Sequence, residues 1–419
     1  MSSPRPVDDH AALADLQLRL SKAALIACEH PRALKAALDA RGHFEVAGDV
    51  RRTGEALHQL ALCYSSVGDT AATNETALEA VRLLEPFGDG ADLAAAYAVL
   101  AREALLDCRL SDAIRFSERA LEIAQRGNAI AEQVHALTTS GFAMTLQGDS
   151  EGLAKVRDSL ALALEHDLGW PCIRTNNLLW ASLFVTGRPD DELLAVYQRG
   201  QTLAHRHSYV WGTTEHDLQY AFDEGDWDRA LQLANTYPDE PGEERAQLVA
   251  ACIHAARSGL TSSAHIDAVL RRLHGRAETQ RAYGALSVQV MLLAGDLRAV
   301  IDHAEGVVDF LGDGHWRADV DVAVVSALFA AVWLGERPAA VRWEQLELSG
   351  RSQESRSKKG RRAYVLAERA ARLGEVQRAL ELFAESAERF KGVGGSLVGQ
   401  TLPRLRRAEC LLLPGPFQD

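Results

Sequence analysis

Fourteen histidines and six cysteines are the residues of this chain best suited to metal, redox or nucleophilic chemistry. The cysteines (Cys28, Cys63, Cys108, Cys172, Cys252 and Cys410) are scattered without a CxxC pair. Zinc sites use short, regular ligand spacings, and disulfides belong to oxidising compartments. The scatter reads instead as small buried hydrophobes in a reducing interior. His205, His207 and His216 form the closest histidine group, and Glu165, His166 and Asp167 lie 39–40 residues earlier. That combination fits no zinc spacing, so no metal or other cofactor is expected. No histidine pairs recognisably with a serine or cysteine nucleophile. The 58 acids are too many for any two to stand out as an acid–base couple, so no catalytic residue is expected.

What remains is recognition chemistry. Residues 349–362 read as a polar loop holding Arg351, Arg356, Lys358, Lys359, Arg361 and Arg362 against one acid, Glu354. Such a run suits an acidic partner or phosphates, or is simply a solvated loop. The whole chain carries a net charge of -13. That balance argues against direct nucleic-acid binding, which favours basic surfaces.

These residues sit on a repeating frame. Turn glycines occur at Gly68, Gly148, Gly187, Gly225, Gly259, Gly295, Gly335 and Gly374, each between two amphipathic stretches. Cys28 and Cys108 fill the remaining turn positions, giving successive spacings of 40, 40, 40, 39, 38, 34, 36, 40 and 39. Glycine ends a helix at little steric cost, and the Asp or Glu that often follows caps the next one. Alanine stands five residues after the turn at Ala33, Ala113, Ala230, Ala264, Ala340 and Ala379, where a small side chain lets two helices cross closely. Pro31, Pro189 and Pro338 suit first helical positions. No sustained period-two alternation marks a strand.

Leu366, Ala367, Gly374, Ala379 and Phe383 resemble the tetratricopeptide pattern. So do Leu100, Ala101, Cys108, Ala113, Ala120 and Leu121, and Leu60, Ala61, Tyr64, Gly68 and Ala80. The longer period here is similar to the C-terminal helical arrays of large bacterial ATP-dependent transcriptional regulators and cyclase-linked regulators. The resemblance covers nearly the whole chain. It implies an all-α, right-handed solenoid of about ten antiparallel helix pairs with a binding or sensing role.

In that family the first helix of each pair lines an inner groove. The matching positions lie six, ten and thirteen residues before each turn. In the middle repeats they are Arg102, His135, Thr138, Phe142, Arg174, Asn177, Glu215 and Gln219, the expected ligand or partner groove. Further on, Val249, Ile253, Val325 and Phe329 form an apolar end, either open groove or closed core. Arg102, Asn177 and Arg174 match the family's carboxylate clamp only in part.

The expected organisation is a disordered tail at 1–10, a repeat array at 11–395 and a capping helix at 396–413. The expected function is a non-catalytic scaffold or sensor for a peptide or protein, with a small ligand as an option. An effector region of a bacterial transcriptional system is the alternative. The polar opening MSSPRPVDDH lacks a signal peptide's apolar core, and the longest apolar run, 322–334, is too short to span a bilayer. A cytoplasmic protein without membrane contact is therefore expected.

Overall fold

A computed structural model describes residues 6–27, 29–67, 69–107, 109–186, 190–207, 217–218, 220–222, 225–236, 243–258, 277–311, 318–349, 356–390 and 397–412. Among them there is no strand. The chain divides into two compact units, residues 1–144 with 150–175, and residues 145–149 with 176–419.

The first unit holds α1 (Pro6–Ile26), α2 (His30–Ala47), α3 (Val50–Ser66), α4 (Thr70–Leu84), α5 (Ala91–Leu106), α6 (Leu110–Arg126), α7 (Ile130–Leu146), α8 (Ser150–Glu165) and the opening turns of α9 (Gly169–Val185). The first helix begins at Pro6, inside the stretch expected as a tail. Short turns oblige consecutive helices to fold back on one another. Contacts are densest within α1–α2, α3–α4 and α5–α6, and the first helix of each pair also touches the next, α1 on α3 and α3 on α5. This is a tetratricopeptide-like array of helix pairs.

Small residues set the packing distance. Ala33 and Ala113 are fully buried, as the spacing predicts. A Cβ on Gly141 would lie 2.9 Å from the Gly152 carbonyl oxygen, so α7 and α8 meet backbone to backbone there. The leucines around these crossings, Leu57 and Leu60, are sealed from water. Burying a leucine stabilises by about 1.5–3 kcal/mol. Asp49 and Asp69 cap α3 and α4 by accepting the Arg52 and Ala72 amides, both at 3.0 Å.

The second unit holds the rest of α9, then α10 (Asp190–Arg206), α11 (Trp227–Thr236), α12 (Glu243–Ser258), α13 (Ala277–Leu293), α14 (Leu297–Leu311), α15 (Ala318–Trp333), α16 (Arg337–Ser349), α17 (Arg356–Arg372), α18 (Val376–Phe390) and α19 (Leu397–Leu412). The pairing pattern repeats, with α13 on α14 and α17 on α18, and with α15 touching both α13 and α17. Ala230, Ala340 and Ala379 are buried at their crossings. Gly295 and Gly374 turn at φ values of 80° and 77°, a left-handed conformation that an L side chain adopts only with strain. Cys28, Gly68, Cys108, Gly187, Pro189, Gly259 and Ala264 lie outside the described residues.

One expectation is corrected. The basic stretch at 349–362 is not all loop, because α17 begins at Arg356. Gly360 packs 3.1 Å from Phe390 as judged at its Cβ position, and its carbonyl accepts the Ser386 hydroxyl at 2.8 Å. Arg361 is buried and ion-paired with buried Glu347. The helix wins because its apolar continuation, Ala363 to Val365, needs a full set of backbone bonds to reach the core.

Candidate functional site

The first helices of successive pairs in the first unit place a row of polar side chains one repeat apart. Lys22 of α1 reaches Glu55 of α3 at 3.1 Å. Glu55 also receives Arg52, which in turn meets Asp15. Ser65 of α3 donates to Glu103 of α5 at 2.5 Å. Arg102 donates to Ser65 and, at 3.3 Å, to Glu103. Each acid on this stretch is therefore already committed. Arg102 keeps about a third of its side chain exposed, at 33%. Its Nε is nevertheless buried without an acceptor.

Arg174 continues the row from α9. Its Nη2 donates to Thr139 of α7 at 2.9 Å. Its Nη1 is buried with no hydrogen-bond partner. Burial, followed by the charge of Arg102, pulls its pKa down to about 10. Among the described residues no carboxylate offsets it, so a half-buried guanidinium lies near another cation with one of its donors sealed. Charge buried in this way is costly unless something supplies the counter-charge.

Two imidazoles complete the cluster. Burial, then Arg174, Arg102 and His58, pushes His135 of α7 down to about 3. Burial and Lys22 lower His58 of α3 to about 4, Glu55 opposing and Arg102 assisting. Both rings are neutral at pH 7. Each can then donate one hydrogen bond and accept another without adding charge.

The other groove candidates fall differently. Thr138 is fully buried and does not line a groove. Ser159 of α8 donates to the Val134 carbonyl at 2.9 Å, so Thr138 must donate to Ser159 at 2.7 Å and accept from Thr175 at 2.8 Å. This hydroxyl chain clasps α7, α8 and α9 together. Phe142 is also core, at 6% exposure. Asn177 is partly exposed and belongs to the second unit. Glu215 and Gln219 lie outside the described residues. Arg102, His135 and Arg174 thus come together, while Thr138 and Phe142 belong to the core. Lys22 and His58 stand six and ten residues before their own turns, at the same groove register. Glu103 and Thr139 fall off that register, and their signal is the separation of 35–38 residues between hydrogen-bonding partners, close to one repeat.

In the second unit the equivalent positions are closed. Val249, Ile253 and Val325 are fully buried and Phe329 nearly so, which makes the expected apolar end core rather than groove. Tyr364 and Glu368 of α17 are sealed as well. Arg406 of α19 grips Glu368 through two bonds, Nε to Oε1 at 2.7 Å and Nη2 to Oε2 at 2.9 Å. The Tyr364 hydroxyl donates to Glu368 at 2.9 Å. Burial and the adjoining carboxylate hold the Tyr364 phenol well above its usual range.

No family model matches the chain, and no curated protein sequence matches it. Among solved structures, it is similar to a Rap protein complexed with competence and sporulation factor, at 11% identity, covering 97% of this chain and 98% of that one, with a TM-score of 0.46. It is also similar to the apo form of the quorum sensor NprR from B. thuringiensis, at 13% identity, 81% and 97% coverage and a TM-score of 0.47. Yeast Tom70 aligns at 11% identity over 96% of both chains, with a TM-score of 0.36. The fold assignment rests on the helix pairs themselves.

Proposed function

We propose that this chain is a non-catalytic binding module that holds a peptide or protein partner on the first-helix face of its first unit. The observation that carries this reading is Arg174, a half-buried guanidinium whose Nη1 is sealed without an acceptor and which has no acid beside it among the described residues. A fold retains an uncompensated cation at a cost to its own stability when a ligand supplies the missing charge. The helical frame supports the same reading, because a stack of pairs repeats its side-chain positions at regular intervals and so offers one continuous face. No nucleophile, metal or organic cofactor enters this function. The acidic balance of -13 disfavours direct nucleic-acid contact. No helix of the described residues is long and apolar enough to cross a membrane. A cytoplasmic setting suits cysteines buried as thiols at Cys63, Cys172 and Cys252.

Selection from a displayed peptide library on the full chain tests this, followed by hydrogen exchange with the best peptide. Protection is expected on α5, α7 and the opening of α9. A library that yields no binder, or protection confined to α6 and α8, would count against the reading.

A further inference from the structure

We infer that the cavity between α16 and α17 in the second unit binds a free amphiphilic monoanion, an alkyl chain ending in one negatively charged head. The inference goes beyond the binding reading above, because it rests on other residues in the other unit.

The packing leaves room there. α16 and α17 meet less closely than α2 and α3 or α18 and α19 do. A cavity of ≈ 640 Å³ stands between them, within the range of about 300–1,000 Å³ typical of small-molecule sites. Val341, Glu344 and Leu348 line it from one face of α16, and Arg369, Arg372 and Leu373 from one face of α17. Its walls are apolar. Leu373 is 65% exposed and Val341 42%, so both keep surface that an apolar guest would take out of water. Val341 and Leu348 stand seven residues apart, about 10 Å along the helix. An extended chain of about eight carbons spans that distance.

Charge selects the head. The charged groups lining the cavity are two arginines and one acid. Glu344 is largely buried and commits its Oε2 to Arg372. Arg369 stands 3.5 Å from the other carboxylate oxygen and keeps 56% of its side chain exposed. One acid does not neutralise two guanidiniums, so the lining carries one net positive charge. A singly charged anion balances it, and Arg369 meets that head through charge-assisted hydrogen bonds. Leu373 lies one turn beyond Arg369 on the same face, so head and chain are met side by side.

Octanoate is the probe, titrated as a monomer into full-length protein with labelled leucine and valine methyl groups at constant ionic strength. The Val341, Leu348 and Leu373 methyl signals are expected to shift saturably, while those of Leu57 and Leu60, sealed in the first unit, stay in place. Hexanoate is expected to bind about fourfold more weakly, because two methylenes leave a half-open wall. Octylammonium, with the opposite charge, is expected not to bind. Arg369→Gln is expected to weaken octanoate about tenfold and to leave the melting temperature unchanged, because Glu344 keeps Arg372. Leu373→Gln, at a side chain that faces water, is the independent second variant and is expected to weaken octanoate about threefold. Methyl signals that stay still with octanoate, or variants that bind it as tightly as wild type, overturn the inference. Equal binding of octylammonium overturns the choice of an anion. An acidic, leucine-rich peptide that moves these signals where octanoate does not overturns the small-molecule assignment.

Discussion

Position six before the turn carries Arg102 in the first unit and Glu368 in the second, and the two regions treat buried charge in opposite ways. Glu368 is fully enclosed and receives three bonds, two from Arg406 and one from Tyr364. Arg406 is raised above the usual arginine range once those attractions outweigh its burial. In the first unit, Arg102 keeps one donor unused, and burial, with neighbouring cations adding to it, holds Arg174 and His135 down rather than up. A buried charge satisfied within the chain is a fastening, and here it pins α19 to α17. A charge left unsatisfied within the chain is a cost whose return must come from outside. That contrast underlies the proposed division between structural polar groups and recognition groups.

The largest effect is expected at the fastening. Arg406→Met leaves Glu368 buried without its cation, and breaking such a pair costs about 3–5 kcal/mol. Denaturant melts should show the loss, and the double variant with Glu368→Met should recover much of it. A single variant as stable as wild type would show that the pair contributes nothing.

Thr138→Val comes next. It strips Thr175 of its acceptor and Ser159 of its donor inside the α7–α8–α9 clasp, at about 1–3 kcal/mol. Peptide affinity per folded molecule should not change. A weakened affinity without loss of stability would return Thr138 to the groove and blur the comparison.

Arg174→Met is expected to run the other way. It removes a half-buried cation that no acid among the described residues offsets, so melting should stay level or rise, by up to roughly 2 kcal/mol. A loss as large as that of Arg406→Met would erase the distinction between the two regions.

The smallest effect lies in acid. His135 and His58 titrate at about 3 and about 4 when folded, below the value near 6.5 of an unfolded chain. The unfolded state therefore takes up protons first. Stability from these two rings is full above about pH 6.5 and is lost as pH falls toward 3. The double variant His58→Gln/His135→Gln should flatten the melting temperature against pH between about 6.5 and 4. An unchanged slope would place the acid response on other groups.

The frame was legible because its punctuation is local. A glycine closing one helix and an acid opening the next mark Gly148, Gly225, Gly295 and Gly374 without knowledge of the fold. Asn128 and Asp167 serve the same left-handed turns between pairs at φ values of 52° and 48°, and side chains that also suit caps and solvent hide that role. Arg361 was illegible for a different reason. A run of basic residues reads as solvated, and only tertiary contact brings Glu347 to it. Arg102, His135 and Arg174 could be chosen by counting back from the turn. Counting could not separate Thr138, which the crossing of α7 with α8 turns inward, from side chains that remain accessible. The partners of each cation lie one repeat away, so charge balance became visible only with the helices stacked.

The central claim is that Arg174 weakens the chain for the sake of a partner. One paired measurement tests it, the melting temperature of wild type and Arg174→Met together with their affinities for the best acidic peptide from the library. The account predicts a variant that melts no lower than wild type and binds about tenfold or more weakly. A variant that melts lower and binds equally well would contradict it.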